Sequence, residues 1–159
     1  MILSAWRIVR EKHLATAFSG DGAAEFGGRW NLPGVRVVYT SGSQALAALE
    51  LLVHLNPPVS FKYKAIRIEF DEKLTDHLTR EQLPADWTAE PPSLSTQRLG
   101  SRWASAFEFA ILAVPSAIIA GESNYIINPL HPDFGRIKIS PALDFAFDRR
   151  LLRGIADPA

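Results

Sequence analysis

The chain has no cysteine, a single methionine and no excess of either charge: its 159 residues carry 17 Lys and Arg against 17 Asp and Glu. Without cysteine there is no disulfide, no thiolate nucleophile and no thiolate metal ligand, a composition suited to a reducing compartment. Charge balance removes the basic footprint through which proteins release counterions from nucleic acid, so no direct nucleic-acid binding by this chain is expected. No apolar run approaches the roughly 20 residues that span a bilayer. The opening, MILSAWRIVREKH, meets charge after an apolar run too short for a signal peptide. The expectation is a cytoplasmic protein with no membrane attachment. HExxH, GxSxG and GxxxxGK are all missing, and the four histidines are scattered, so no metal ligands are assigned. Gly20-Asp21-Gly22 begins like a dinucleotide fingerprint but lacks the third glycine and a clear preceding strand.

What is present reads as one globular domain over 1–159, with 47% hydrophobic residues available for a core. Residues 2–9 (ILSAWRIV) predict a strand containing Arg7, and 36–40 (RVVYT) a second, by β-branched and aromatic content. Between them, FSGDGAAEFGGRWNLPG (18–34) is a long glycine-bearing segment, which inside a compact domain is more often functional than idle. Ser41 or Ser43 can cap a helix reaching about Leu55 and ended by Asn56-Pro57-Pro58. KAIRIEF (64–70) alternates apolar and charged side chains as a half-buried strand does. Residues 71–95 read as a polar connection with one short helix, and 96–107 as a helix. In FAILAVPSAII (109–119), Pro115 suggests an edge strand or a bulge. Residues 125–127 and 136–139 are further strand candidates around the rigid turns of NPLHPD, and the tail FAFDRRLLRG is ambiguous. The irregular mixing of strands and helices points to an α+β fold.

Three segments could carry chemistry. In SQALAALELLVHLN the leucines and Val53 cover most of the helix surface, which predicts a buried helix. Glu50 projects from that apolar stripe. A buried carboxylate without a partner is costly, so it must be protonated, paired or facing a cleft. Arg7 and His54 are its candidate partners if it is structural; a pocket wall is its place if it is catalytic. In EFGGRWNLPG (25–34), Gly27 and Gly28 would let the backbone approach a ligand while Arg29 grips an anion; the plainer reading is a turn with a solvated arginine. Tyr39 ends the following strand, ten residues after Arg29 and eleven before Glu50, so loop, strand and helix could surround one cleft. Ser123 and Asn124, between two apolar runs, offer small hydrogen-bonding groups, although turn chemistry alone could account for them.

WRIV near the start, GGRWNLPGVRVVYTSGSQALAALELLVHL, and VPSAIIAGESNYIINPLHPDF, in that order, resemble the RES domain, the toxin half of bacterial Xre–RES toxin–antitoxin pairs. The resemblance runs from about Trp6 to Arg150 and leaves 71–95 unmatched. The family's arginine, glutamate and serine map onto Arg29, Glu50 and Ser123, and its tyrosine onto Tyr39. The resemblance implies a single RES domain whose core is the mixed sheet with flanking helices of ADP-ribosyltransferases. It implies NAD as substrate rather than cofactor, cleaved at the nicotinamide–ribose bond by hydrolysis or phosphorolysis, with inorganic phosphate then a co-substrate. It also implies an Xre-type antitoxin that blocks the active site, and it leaves room for a homodimer within the toxin–antitoxin complex. In such a site Glu50 would hold the ribose hydroxyls and counter an oxocarbenium-like charge. Arg29 would grip the pyrophosphate. Tyr39 would stack on nicotinamide, Ser123 and Asn124 would bond ribose or carboxamide, and Arg7 would add a phosphate contact or pair with Glu50. The competing readings are transfer of ADP-ribose to a protein and a noncatalytic NAD or ADP-ribose binding module.

Overall fold

A computed structural model describes residues 1–55 and 61–153. The longest strands are β1 (Ile2–Arg10) and β3 (Tyr63–Asp71), which pair antiparallel along their whole length, from Ile2 opposite Asp71 to Arg10 opposite Tyr63. Between them in sequence come the helix α1 (Asp21–Phe26), the strand β2 (Val38–Ser41) and the helix α2 (Gln44–Leu52). After β3 follow β4 (Thr75–His77), the helix α3 (Leu94–Ala106), β5 (Ile111–Pro115), β6 (Ser123–Ile127), β7 (Lys138–Ile139) and β8 (Leu143–Phe145). They form one curled sheet in the order β4-β5-β6-β2-β1-β3-β7, with β8 also on β3; only β4 and β5 run parallel. This is a mixed-sheet α+β fold.

The period of two along each strand assigns side chains to faces. On one face Trp6 and Ile8 of β1 and Ala65 of β3 receive Ala47, Ala48 and Leu51 of α2. Further along the same face, Leu112, Val114 and Ile126 receive Trp30, Leu99, Trp103 and Ala104, the last three from α3. The opposite face holds a second layer: Ala5, Val38, Ile68, Phe70, Ile111 and Ile127 under Leu74, Phe134 and Ile137. One end of that face is closed by Leu14, Ala17 and Phe18. Thus α2 and α3 sit on one face, with Tyr39, Ser41 and Asn124 on the sheet between them; Ser41 is opposite both Trp6 and Asn124.

Several expectations shift. Pro115 does not mark an edge: β5 lies between β4 and β6, and the true edge strand, β4, came from the segment read as a connection. Pro115 is tolerated because it is the last residue of its strand, and the ladder resumes at Ser116, whose N–H donates to the Glu122 carbonyl. Within 18–34 a short helix, α1, stands between Gly20 (φ 78°) and Gly27 (φ 73°), both left-handed, where glycine costs nothing. The Ser43 cap holds, its Oγ accepting from the Leu46 N–H at 3.0 Å. The helix after it is not buried all round. Only Leu46 and Ala47 are fully buried, and Val53 is 57% exposed, because α2 has the sheet on one side and solvent on the other. Its predicted stop at Asn56-Pro57-Pro58 lies outside the described residues. The NPLHPD turns fasten α3: Asn128 Nδ2 donates to the Ala104 carbonyl, and His131 Nε2 to that of Phe107, the residue ending the helix at φ 54°.

Candidate active site

The loop that carries Arg29 is built around Tyr39. The Tyr39 hydroxyl donates to Asn31 Oδ1 at 2.6 Å and accepts from the Trp30 N–H at 3.0 Å. Asn31 is fully buried, and its Nδ2 donates to the carbonyls of Ala23, Leu32 and Val35. A Cβ on Gly28 would sit 2.5 Å from the Tyr39 oxygen, so glycine there is a packing requirement. Trp30 fills the core, and its carbonyl passes so close to α3 that a Cβ on Gly100 would lie 1.8 Å away. Burial drives the Tyr39 phenol's pKa well up, opposed in part by the Trp30 N–H and the nearby Arg29 charge. The phenol therefore stays protonated and available as the donor to Asn31.

Arg29, raised on this platform, is mostly enclosed. Its Nη1 donates to the carbonyls of Trp87 (2.9 Å) and Ala89 (2.8 Å), and its Nη2 to the Glu90 carboxylate (3.2 Å). Its anion-gripping role thus meets an acid of its own chain, from a segment where the sequence showed nothing usable.

Glu50 projects from α2 toward the ends of β5 and β6. Its Oε1 accepts from Ser116 Oγ at 2.8 Å and from Asn124 Nδ2 at 2.7 Å. Ser116 is buried, and its Oγ also accepts from the Ile118 and Ile119 N–H groups, which leaves its one proton for Glu50. The second oxygen of Glu50 accepts nothing from the described residues. One edge of the carboxylate is therefore fixed and the other is free to meet a ligand. Neither Arg7 nor His54 pairs with it, and His54 is exposed.

The other expected residues fall into two groups. Asn124 is at the site, with Nδ2 on Glu50 and Oδ1 buried and unpartnered among the described residues. Ser123, one residue earlier, is exposed, and its carbonyl accepts from the Gly42 N–H. The serine that reaches Glu50 is Ser116, which the sequence reading passed over as part of an apolar strand; a lone hydroxyl inside FAILAVPSAII was the signal. Arg7 points to the opposite face of the sheet from Tyr39, donating from Nε to the Ala17 carbonyl and from Nη1 to that of Tyr39. Burial lowers its pKa from the ordinary guanidinium range to about 10, so it stays charged at neutral pH, tying the segment after β1 to the sheet. It is brought to neither Arg29 nor Glu50.

A cleft of about 370 Å³ lies at the β4–β5 edge, lined among others by His77, Leu83, Trp87, Val114, Pro115 and Ser123. Neither Arg29 nor Glu50 lines it. Arg29 reaches it through Trp87, and Glu50 through the neighbours of Pro115 and Ser123. Trp87 gives the cleft an aromatic wall, and its lining adjoins the bonding partners of both the guanidinium and the oriented carboxylate.

Known proteins share this scaffold. The chain is 39% identical over 150 residues to "Toxin Res" of Photorhabdus laumondii, covering 93% of this chain and 96% of that protein. It is 38% identical over 159 residues to the "Prs ADP-ribosylating toxin" of a Sphingobium species, covering 96% and 99% respectively. The crystal structure of the M. tuberculosis MbcT–MbcA toxin–antitoxin complex contains a chain of the same fold, with a TM-score of 0.74 at 18% identity over 98% of this chain and 89% of that one. A sequence model of the RES domain matches residues 4–148, and with relatives this close over nearly their whole length the chain belongs to the RES domain family.

Proposed function

We propose that this chain is the toxin of a toxin–antitoxin pair and that it cleaves the nicotinamide–ribose bond of NAD. The observation that carries the reading is Glu50. Its carboxylate is oriented by two donors on one oxygen and left open on the other. As the C1′–N bond breaks, the pyridinium nitrogen takes the bonding pair and leaves as neutral nicotinamide, and positive charge builds on the ribose carbon and ring oxygen. Glu50, accepting from a ribose hydroxyl through its free oxygen, counters that charge, while Ser116 and Asn124 keep it from rotating away. Arg29 receives a pyrophosphate oxygen. Water then adds to the ribose carbon and releases a proton, giving ADP-ribose; phosphate in its place gives the 1-phosphate. The names of the relatives support the toxin role, and the MbcT–MbcA complex supports an antitoxin partner, which we place as an Xre-type protein blocking the site.

The name of the Sphingobium relative favours a second reading, in which the acceptor is a side chain of a target protein. One experiment separates them: incubation with NAD carrying label on the adenosine, with and without phosphate and with a bacterial lysate. Free ADP-ribose marks hydrolysis, its phosphate ester marks phosphorolysis, and label on protein marks transfer. No nicotinamide release under any condition would overturn both readings.

A further inference from the structure

Arg29 already holds an anion from its own chain, and the way it is held is informative. The carbonyls of Trp87 and Ala89 occupy both Nη1 hydrogens. They are neutral and belong to a backbone anchored by the Trp87 ring, which packs in the cluster around Trp30 and Leu112. They orient the plane of the guanidinium. Glu90 makes the only ion pair to Arg29 among the described residues, through one bond of 3.2 Å to Nη2. Nε has no partner among those residues, and with Nη2, which Glu90 holds, it forms the edge that takes an oxyanion in bidentate fashion. The exposures are unequal: the Arg29 side chain is 18% accessible and that of Glu90 69%. Glu90 can therefore swing into solvent by side-chain rotation alone while the carbonyls stay in place.

We propose that Glu90 is the resident occupant of the anion subsite on Arg29, and that a phosphate oxygen of the incoming substrate displaces its carboxylate. This rests on the reading of NAD as substrate. Glu90 would act as an intramolecular competitor that keeps a mostly enclosed guanidinium paired when the site is empty and discriminates against weak anions. An ion pair whose acid is this exposed is weak, so the competition it exerts on a dinucleotide is about two- to fivefold.

The test is the kinetics of nicotinamide release by the whole chain. Glu90→Gln should lower KM for NAD about two- to fivefold, with kcat unchanged. Glu81→Gln, which removes an exposed acid of the same segment that has no contact with Arg29, should leave KM where it was. In an Arg29→Gln background Glu90→Gln should change nothing. An unchanged or raised KM in Glu90→Gln would overturn the proposal, as would the same gain from Glu81→Gln or a gain that persists without Arg29. A lower melting temperature with unchanged KM would make Glu90 a structural fastener, which also overturns it. If wild type turns over NAD while Glu90→Gln is neutral, the displacement fails and the NAD reading stands. If wild type neither binds nor cleaves NAD, both fall.

Discussion

Replacing Glu50 with glutamine separates chemistry from architecture, because the contacts of this carboxylate are known bond by bond. Glutamine can place its carbonyl oxygen where Oε1 accepts from Ser116 and Asn124, so neither donor is stranded. A bond to a charged acceptor contributes roughly 1.5–3 kcal/mol and one to a neutral acceptor roughly 0.5–1.5, so each of the two bonds weakens by about 1 kcal/mol. Relief from desolvating a half-buried charge offsets part of that. The net loss should not exceed about 2 kcal/mol, or roughly 4–8 °C in melting temperature for a chain of this size. Glu50→Ala is different. It leaves the Ser116 hydroxyl and the Asn124 amide without their acceptor, at about 1–3 kcal/mol each, so the fall in melting temperature should be roughly twice as large. Turnover should collapse in both, because charge countering a developing cation typically accounts for about 10²–10³ in rate. The assay is a thermal melt and nicotinamide release on the same preparations. Glu50→Gln releasing nicotinamide within about threefold of wild type would refute the catalytic role, whose removal should cost about 10²–10³. Glu50→Gln melting as low as Glu50→Ala would refute the claim that glutamine preserves the two bonds.

The remaining expectations follow from other contacts. Ser116→Ala removes one donor to Glu50 and the acceptor of two backbone N–H groups, and should lower turnover about tenfold or more, whereas Ser123→Ala should stay within about twofold. The reverse order in nicotinamide release would return the role to Ser123. Gly100→Ala sets a methyl 1.8 Å from the Trp30 carbonyl, so it should destabilise by about 3 kcal/mol or more; a melt within 2 °C of wild type would show that α3 can move aside (about 1 kcal/mol or less). Tyr39 should leave an alkaline signature. The folded phenol keeps its proton above pH 10, where the unfolded one has lost it, so the folded state binds more protons and its stability falls as pH rises, by about 1.4 kcal/mol per pH unit. Arg7 works in the opposite sense, its folded pKa lying below its unfolded one, so its contribution rises with pH above about 10. The difference between wild type and Tyr39→Phe isolates the tyrosine: the variant should be less stable at pH 8 and the gap should shrink above pH 10. A constant gap in denaturant melts would place the phenol in an ordinary environment.

The sequence by itself determined what local chemistry can determine. Alternation in KAIRIEF and the β-branched run at VVYT placed β3 and β2 to within about two residues, and Ser43 announced its helix, because pattern and cap act over a few residues. It also singled out Arg29, Tyr39 and Glu50 and, by resemblance, the family. Tertiary structure alone decided the rest. That Tyr39 bonds Asn31 and the Trp30 amide, that Gly28 and Gly100 exist for close approach, and that Arg7 lies on the far face are facts of pairing between strands distant in sequence. β4 stayed hidden because a strand of three residues on an edge needs no hydrophobic alternation to be held by its neighbour. Ser116 stayed hidden because a hydroxyl within an apolar run reads as a tolerated strand residue until the chain folds it under a carboxylate 66 positions away. Glu90 was an exposed acid in an unmatched segment, and only the fold could set it on Arg29, 61 positions away. Contacts across such separations depend on sheet order and register, which no local pattern encodes.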